Sequence, residues 1–119
     1  MERNFISLDI RKFNFVVAIH GKKETKEYEN NFNGIADFIK DYKENLSSAL
    51  CILETTGGYE MEMLVTLCTQ TIAVHRANTR KVKNFIRSFG NAAKIDSLDA
   101  KALALYGFER YERLELFKA

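Results

Sequence analysis

The amino-acid sequence predicts an α/β fold in which a mixed five-stranded sheet, in the spatial order 3-2-1-4-5, carries helices on both faces. Three β-prone stretches come first, at residues 5–10, 13–20 and 25–32, and helical and strand-like patterns then alternate. A second observation is the uninterrupted apolar run at 49–53, which is typical of a parallel strand covered on both faces. Because hairpin strands pair in sequence and helical crossovers return to the sheet, strand one is expected in the middle, beside strand four.

The first three strands are expected to form an antiparallel meander. Residues 5–10 are short and apolar, and the run Phe-Asn-Phe-Val-Val-Ala-Ile begins directly after Arg11 and Lys12. The Gly-Lys-Lys sequence at 21–23 is typical of a polar turn. Residues 25–32 then alternate between apolar and charged side chains, which indicates a third strand that is half exposed.

Four helices are identified by apolar residues that recur at helical spacing. The first follows Asn33, a residue type that often caps helices, and the second covers residues 59–69. A brief fifth strand is expected at 71–74, Asn78 can cap the third helix, and the fourth begins near Asp96 and can extend to the chain end. The expected inner faces are, in that order, Ile35, Phe38, Ile39 and Tyr42; Met61, Leu64, Val65 and Cys68; Val82, Phe85, Ile86 and Phe89; and Leu98, Ala102 and Leu105.

Length and composition favour one globular domain over residues 1–119. Apolar residues make up 46% and charged residues 29%, which is an ordinary globular mixture. No stretch has the length of a membrane span or the layout of a signal peptide, so a cytoplasmic location without membrane association is expected. Cys51 and Cys68 lack the spacing of a zinc or redox motif and are expected to be free thiols in the core.

Positive charge is concentrated in residues 76–94, which we call the basic segment. The net charge of +2 is too small to indicate a partner, but this segment holds six cations and no acidic residue. A helix with basic residues on its solvent face can bind the phosphates of nucleic acid, although many such faces are ordinary solvated surfaces. The candidate nucleic-acid-binding residues are Arg76, Arg80, Lys81, Lys83, Arg87 and Lys94.

Two acidic residues are expected at one edge of the sheet. Glu54 ends the apolar fourth strand and precedes a glycine pair, whereas Asp9 interrupts the otherwise apolar first strand. Ligands of open α/β sheets bind outside the carboxyl ends of the parallel strands. A charge inside an apolar strand is also unfavourable unless a cation or a hydrogen-bond donor meets it. We therefore expect Asp9 and Glu54 to lie together and to face a positive group.

A second acidic pair, Asp96 and Asp99, lies three residues apart and so shares one helix face. An N-cap followed by a first-turn acid would explain this pair without any function. Four acids at one sheet edge instead favour Mg²⁺ or Mn²⁺, and two such ions roughly 3.5–4 Å apart can promote phosphodiester transfer. His75 is expected alone at a strand end, as a packed or surface residue rather than a catalytic base.

Three segments carry a resemblance to a known family. They are residues 8–12 (Leu-Asp-Ile-Arg-Lys), 53–60 (Leu-Glu-Thr-Thr-Gly-Gly-Tyr-Glu) and 93–100 (Ala-Lys-Ile-Asp-Ser-Leu-Asp-Ala). In this order, with a basic helix before the third, they resemble the N-terminal catalytic domain of the DEDD transposases of bacterial insertion sequences. That family includes Piv-type site-specific invertases and bridge-RNA-guided recombinases. The sequence departs from the family pattern at Thr55, Thr79 and Ile95, and no departure removes a carboxylate.

The resemblance implies a ribonuclease H-like fold similar to that of the RuvC resolvase, with Asp9, Glu54, Asp96 and Asp99 as a DEDD tetrad that holds Mg²⁺ or Mn²⁺. It also implies metal-dependent cleavage and strand transfer of DNA, during transposition or site-specific inversion, at the nucleoid of a bacterial cell. A guide RNA is a further implied partner. Family members continue into a second domain that bears a serine nucleophile, so the chain is interpreted as a fragment without that domain.

Two other functions remain open on the sequence alone, and a third is disfavoured. A RuvC-like junction nuclease would use the same four acids with a metal-activated water. A noncatalytic nucleic-acid-binding module would use only the basic segment. An actin-like nucleotide-binding module would need a Gly- and Thr-rich turn after Asp9, and Arg11-Lys12-Phe13-Asn14 does not match one.

The last stretch of the chain is unusually rich in apolar side chains. A helix that is apolar on most faces is normally enclosed by protein, and an exposed patch of this kind often marks an interaction surface. We expect self-association through this C-terminal stretch, with a chain that folds back on itself as the alternative. The residues concerned are Tyr106, Phe108, Tyr111, Leu114, Leu116 and Phe117.

Overall fold

A single mixed sheet organises the computed structural model of the chain. Its strands are β1 (Asn4–Ile10), β2 (Asn14–Ile19), β3 (Thr25–Glu29), β4 (Ala49–Glu54) and β5 (Ala73–Ala77). They lie in the order β3-β2-β1-β4-β5. The β1–β2 and β2–β3 pairs are antiparallel, whereas the β1–β4 and β4–β5 pairs are parallel. The predicted topology is therefore confirmed, with β1 in the middle.

The helices whose bounds lie within the described residues are α1 (Phe32–Asp41), α2 (Lys43–Leu46), α3 (Met61–Thr69) and α4 (Ile95–Arg110). The structure describes residues 4–54, 57–77, 80, 82, 84, 95–110 and 114–116, and within α4 it describes side chains from residue 103 onward. In the described part of the chain, no helix is long and apolar enough to cross a membrane.

The sheet separates two apolar layers, as expected when helices cover both faces. Alternate residues of each strand point to opposite faces, so neighbouring residues of β1 enter different layers. On one face α1 and α3 pack against residues such as Ile6, Leu8 and Phe15. On the other face α4 packs against Phe5 and Ile52. The second layer consists of Phe5, Leu50, Ile52, Ala77, Val82, Leu103 and Tyr106.

A glycine allows α4 to lie close to the sheet. A Cβ atom at Gly107 would stand 2.2 Å from Cδ1 of Ile52, which is far inside van der Waals contact. Any side chain at this position would require the Ile52 side chain to move, so glycine suits the point where the helix crosses β4.

The first helix begins earlier than predicted. β3 ends at Glu29 instead of Phe32, and Asn31, not Asn33, is the N-cap of α1. The Asn31 Oδ1 accepts a hydrogen bond of 2.8 Å from the backbone N–H of Gly34. Because this bond ends the extended chain, Phe32 lies in the first helical turn and is 75% exposed. The predicted inner residues Ile35 and Phe38 are buried, with Ile39 and Tyr42 packed beside them.

The inner face of α3 differs from the prediction. Leu64 is buried as predicted, whereas Met61 and Val65 are exposed, and Met63 and Leu67 are buried in their place. Glu60, just before the helix, is also fully buried. It lies three, four and seven residues before Met63, Leu64 and Leu67, so all four residues share the face of α3 that meets the sheet. Of the two cysteines expected in the core, both are free thiols, but only Cys51 is fully buried, and Cys68 is half buried. Burial raises the pKa of the Cys51 thiol to about 12.

The fifth strand lies later in the chain than predicted, at Ala73–Ala77 instead of 71–74. Thr71 has a left-handed backbone with φ of 60° and belongs to the turn that closes α3. The predicted strand-end position of His75 is consequently wrong, because this residue lies inside β5, opposite Ile52. Its Nδ1 atom is 2.6 Å from the backbone oxygen of Glu115.

The last helix begins at Ile95, close to the predicted start, but it ends at Arg110, and residues 114–116 are not helical. Of its predicted inner face, Leu105 is half buried, and the side chains of Leu98 and Ala102 lie outside the described residues. In the preceding predicted helix, Arg80, Val82 and Asn84 have helical backbone, with Val82 buried and Arg80 exposed. Asn78, Phe85, Ile86 and Phe89 lie outside the described residues.

Candidate active site and nucleic-acid interface

Asp9 and Glu54 lie at corresponding positions on two adjacent parallel strands. The pairing of β1 with β4 runs to Leu8 opposite Leu53, and the two acids are the next residues on their strands. Their positions alternate with those of Leu8 and Leu53, so both belong to the sheet face that α4 covers. The structure thus brings together the two carboxylate positions that the sequence predicted at this edge.

Asp9 is a buried acid that has a cation beside it. Its side chain is 10% exposed, and its Oδ2 lies 3.2 Å from Nη2 of Arg11, whose side chain is 55% exposed. Burial of a carboxylate is unfavourable in an apolar layer, and a guanidinium at this distance offsets part of that cost. The positive group expected near Asp9 is therefore supplied by Arg11, which directly follows the same strand.

Glu54 ends β4 and is half buried. The chain then turns through Gly57 and Gly58, whose φ angles of 75° and 105° lie in the left-handed region. Residues with side chains rarely adopt such angles, so the glycine pair permits the sharp reversal between β4 and α3. On its other side β4 pairs with β5, where Ala77 lies opposite Glu54.

A second acid, Glu60, holds the turn after β4 in place. Glu60 is fully buried; its Oε1 accepts a hydrogen bond of 3.1 Å from the backbone N–H of Gly58, and its Oε2 forms an ion pair with Nη2 of Arg76. The ion pair connects this turn to β5. Glu60 was not among the candidate site residues, although an acid directly before an apolar helical pattern is a signal for a buried or capping role.

Asn30 connects three segments at the same edge of the sheet. Its Nδ2 donates to the backbone oxygens of Arg11, at 2.9 Å, and of Tyr59, at 3.0 Å. Its backbone N–H donates to the oxygen of Phe13 at 2.9 Å. The hairpin after β1 and the turn after β4 are thus joined through one side chain. No sequence pattern indicated this role, because it depends on the tertiary fold.

Asp96 and Asp99 occupy the first turns of α4. Their backbone is described, but their side chains lie outside the described residues. Since α4 packs on β1, β2 and β4, both residues belong to the helix that covers the face of Asp9 and Glu54. Within the described ranges, no group of three or more His, Cys, Asp or Glu residues comes together. The convergence of all four acids stays a prediction.

The donor chemistry of the described pair fits a hard divalent cation. Asp9 and Glu54 offer carboxylate oxygens alone, and oxygen ligands of this type are preferred by Mg²⁺ and Mn²⁺. The buried Asp9 carboxylate already attracts one positive group, Arg11. These two residues could therefore supply part of a metal site.

Two candidate residues of the basic segment, Arg76 and Arg80, are described, and their surroundings differ. Arg76 is bound to the buried Glu60, so its first role is structural. Arg80 is exposed on a helical backbone, as the prediction required. The remaining candidates, Lys81, Lys83, Arg87 and Lys94, lie outside the described residues.

Comparisons with known proteins give one family and one fold. The family model DEDD_Tnp_IS110, described as a transposase, matches residues 6–118. Among solved structures, RuvC of T. thermophilus in complex with a Holliday junction substrate matches with a TM-score of 0.66 and 11% sequence identity, over 98% of this chain and 100% of that one. No curated protein is similar in sequence.

Proposed function

Because this chain belongs to the DEDD_Tnp_IS110 family of transposases, we propose that it provides the carboxylates for metal-dependent cleavage and transfer of DNA strands. Membership confirms the resemblance inferred from the sequence, and the likeness to RuvC confirms the ribonuclease H-like fold. The chain is a transposase domain with a RuvC-like sheet.

The observation that supports the proposal best is the placement of Asp9 beside Glu54 at the carboxyl ends of β1 and β4. We infer that Asp9, Glu54, Asp96 and Asp99 together hold Mg²⁺ or Mn²⁺. Such a cation lowers the pKa of a bound nucleophile and neutralises charge on the leaving oxygen of a phosphodiester. Glu60 and Arg76 position the turn that comes after Glu54, and Arg11 compensates the charge of Asp9.

The partner in this proposal is DNA. The exposed Arg80, and Lys81, Lys83, Arg87 and Lys94 by their place in the basic segment, would contact phosphates; Arg76 would do so only in addition to its bond with Glu60. A guide RNA is a second proposed partner, which rests on the family alone. The chain would act at the bacterial nucleoid, as one domain of a longer protein in which a second domain supplies a serine nucleophile.

Self-association through the C-terminal stretch is also proposed. Phe108 and Leu116 are 45% and 48% exposed, whereas Tyr106 is buried and Leu114 packs on the core. Tyr111 and Phe117 lie outside the described residues. Light scattering at high concentration tests this: a dimer that Phe108→Ala dissociates is expected, and a monomer at every concentration would contradict it.

A junction nuclease is the second candidate, favoured by the likeness to a RuvC structure whose substrate is a Holliday junction. It would cleave branched DNA with water and would need no second domain. The two candidates differ in what this chain does alone. A junction nuclease cleaves, whereas a transposase domain that depends on a serine elsewhere binds DNA with its metal and leaves the strands intact.

The experiment uses the chain with a four-way junction and a linear duplex, in Mn²⁺ and in EDTA. We expect binding that strengthens with Mn²⁺, no cleavage, and loss of the Mn²⁺ effect in Asp9→Asn and Glu54→Gln. Mn²⁺-dependent cleavage of the junction would favour the nuclease. Absence of DNA binding in both conditions would contradict the proposal, and Glu62→Gln, a change at an exposed carboxylate of α3, serves as the matched control.

A further inference from the structure

Two large aromatic side chains are exposed beside the candidate active site. Phe13, in the hairpin between β1 and β2, is 76% exposed, and Tyr59, in the turn after β4, is 46% exposed. Apolar rings on a surface are common when scattered, but grouped exposed rings usually have a ligand. We call Phe13 and Tyr59 the aromatic pair. Neither contributes to the buried layers of the fold.

The aromatic pair is held together by Asn30. The backbone oxygen of Phe13 accepts from the Asn30 N–H at 2.9 Å, and the oxygen of Tyr59 accepts from its Nδ2 at 3.0 Å. Both rings therefore start from backbone fixed to one residue, although they belong to distant parts of the sequence. Backbone that is fixed in this way loses little conformational freedom when a ligand binds.

Positive charges accompany the rings. The Lys12 Nζ lies 5.2 Å from the centroid of the Phe13 ring, and Arg11 next to it reaches Asp9 at 3.2 Å. The hairpin thus carries two cations and an exposed ring within three consecutive residues, directly after the strand that bears Asp9. Cations that flank exposed rings match a ligand that combines planar apolar groups with negative charge.

We propose that the aromatic pair is a stacking site for unpaired bases of the DNA strand that the domain processes. Bases of an intact duplex already stack on each other, so their faces become available only where the strands separate. Arg11 and Lys12 would contact the phosphates that flank the stacked base. The proposal rests on the proposed transposase function, and it adds that the substrate of this site is DNA opened next to the point of cleavage.

The aromatic pair also explains why two separate loops meet at this edge. Strand opening beside the carboxylates would bring one strand to the buried Asp9 and the half-buried Glu54. Phe13 comes after β1, which carries Asp9, and Tyr59 comes after β4, which carries Glu54. A base that stacks there would hold the opened strand over the carboxyl ends of both strands.

The test compares the affinity of the chain for two DNA molecules of equal length, a full duplex and a duplex with a short unpaired centre. The variants are Phe13→Ala, Phe13→Leu, Phe13→Tyr and Tyr59→Ala. Phe32→Ala is the matched control, because Phe32 is 75% exposed and lies in the first turn of α1. Binding is measured by fluorescence anisotropy, and 2-aminopurine in the unpaired centre reports stacking.

We expect Phe13→Ala, Phe13→Leu and Tyr59→Ala to weaken binding to the unpaired DNA by about tenfold and to leave duplex binding unchanged. Phe13→Tyr and Phe32→Ala should behave like the parent chain and quench 2-aminopurine equally. If the parent binds both DNAs and the ring variants match it, the stacking site is wrong and the proposed function stands. If the parent binds neither DNA, both are wrong. If the ring variants lose affinity for RNA with an unpaired centre but keep their affinity for the unpaired DNA, the proposal is also wrong.

Discussion

The ion pair between Asp9 and Arg11 shows how a largely buried carboxylate is kept in the central strand before a metal binds. An acid that is 10% exposed in the central strand needs a positive neighbour, and Arg11 provides it from solvent at 3.2 Å. A divalent cation at the same carboxylate would replace that neighbour electrostatically. The arginine would then be available to a phosphate, since its side chain is largely exposed.

Arg11→Ala should lower the free energy of unfolding by about 1–3 kcal/mol without metal, because a buried carboxylate loses its charged partner. Saturating Mg²⁺ should restore most of this loss, since the cation binds only the folded chain. Urea unfolding with and without Mg²⁺ measures both values. The double variant Asp9→Asn with Arg11→Ala is the control, and it should not respond to Mg²⁺. An equal loss with and without Mg²⁺ would count against a metal at Asp9.

Asp41 should give the fold a pH dependence that is separate from the candidate active site. Lys26 and Tyr28 donate hydrogen bonds to its Oδ2 at 2.8 and 2.7 Å, and they hold the pKa of this carboxyl below its usual value. Burial, and then the bond to Asp41, raise the pKa of Tyr28 to about 12. A depressed carboxyl pKa stabilises the folded chain above the ordinary value of about 4. This stability is lost as the pH falls through the lower folded value.

The chain should therefore be more stable than Asp41→Asn at neutral pH, and the difference should vanish as the pH falls below about 4. Urea midpoints of both proteins across the acidic range measure this difference. Glu44→Gln, a change at another exposed acid of the same region, should show no such trend. A difference that stays constant with pH would show that Asp41 does not act through its charge.

Among the elements, α4 depends on Gly107 for its distance from the sheet. Gly107→Ala should destabilise the fold by about 1–3 kcal/mol, because the new Cβ would overlap Cδ1 of Ile52. Ile52→Val removes that Cδ1 atom but keeps a Cγ1 atom 2.8 Å from the new Cβ, so the double variant should recover part of the lost stability, aided by the higher helix propensity of alanine. Chemical denaturation of the four proteins in this cycle gives the coupling free energy. Additive losses would mean that α4 does not contact β4 closely.

The order and direction of the strands could be predicted, because they follow from hydrophobic pattern and from general rules of connection. The residues at which strands and helices end could not be predicted in this way. β3 stops at Glu29 because Asn31 caps α1, and the alternation of apolar side chains continued past that point. The face of α3 depends on the burial of Glu60, which requires Arg76 from a distant strand. Such tertiary contacts leave no local periodic signal.

For the molecule as a whole, the juxtaposition of Asp9 and Glu54 at one sheet edge could be predicted because parallel strands bring their carboxyl ends together. Asp9 and Glu54 were found by their position in apolar strands, and the register places them side by side. Asn30 and Glu60 were missed because each is an ordinary polar residue in sequence. Their role appears only when the hairpin and the turn after β4 meet.

The basic segment should bind DNA through its phosphates, independently of the DNA sequence. Replacement of Arg80, Lys83 and Arg87 by alanine should lower the slope of log affinity against log salt by about one unit for each lost phosphate contact. Duplex binding by anisotropy over a range of salt concentrations gives that slope. Replacement of Lys22, Lys23 and Lys43, which lie on other segments, is the matched control. An unchanged slope would show that these side chains make no phosphate contacts and form an ordinary solvated surface.

The central claim is that acids from β1, β4 and α4 form one metal site, and Mn²⁺ calorimetry tests it most directly. The chain should bind Mn²⁺, and Asp9→Asn, Glu54→Gln, Asp96→Asn and Asp99→Asn should each weaken binding by more than about tenfold. Glu62→Gln, at an exposed acid of α3, should bind as the parent does. Unchanged Mn²⁺ affinity in Asp96→Asn and Asp99→Asn would contradict the account, because α4 would then contribute no ligand to the pair that the sheet brings together.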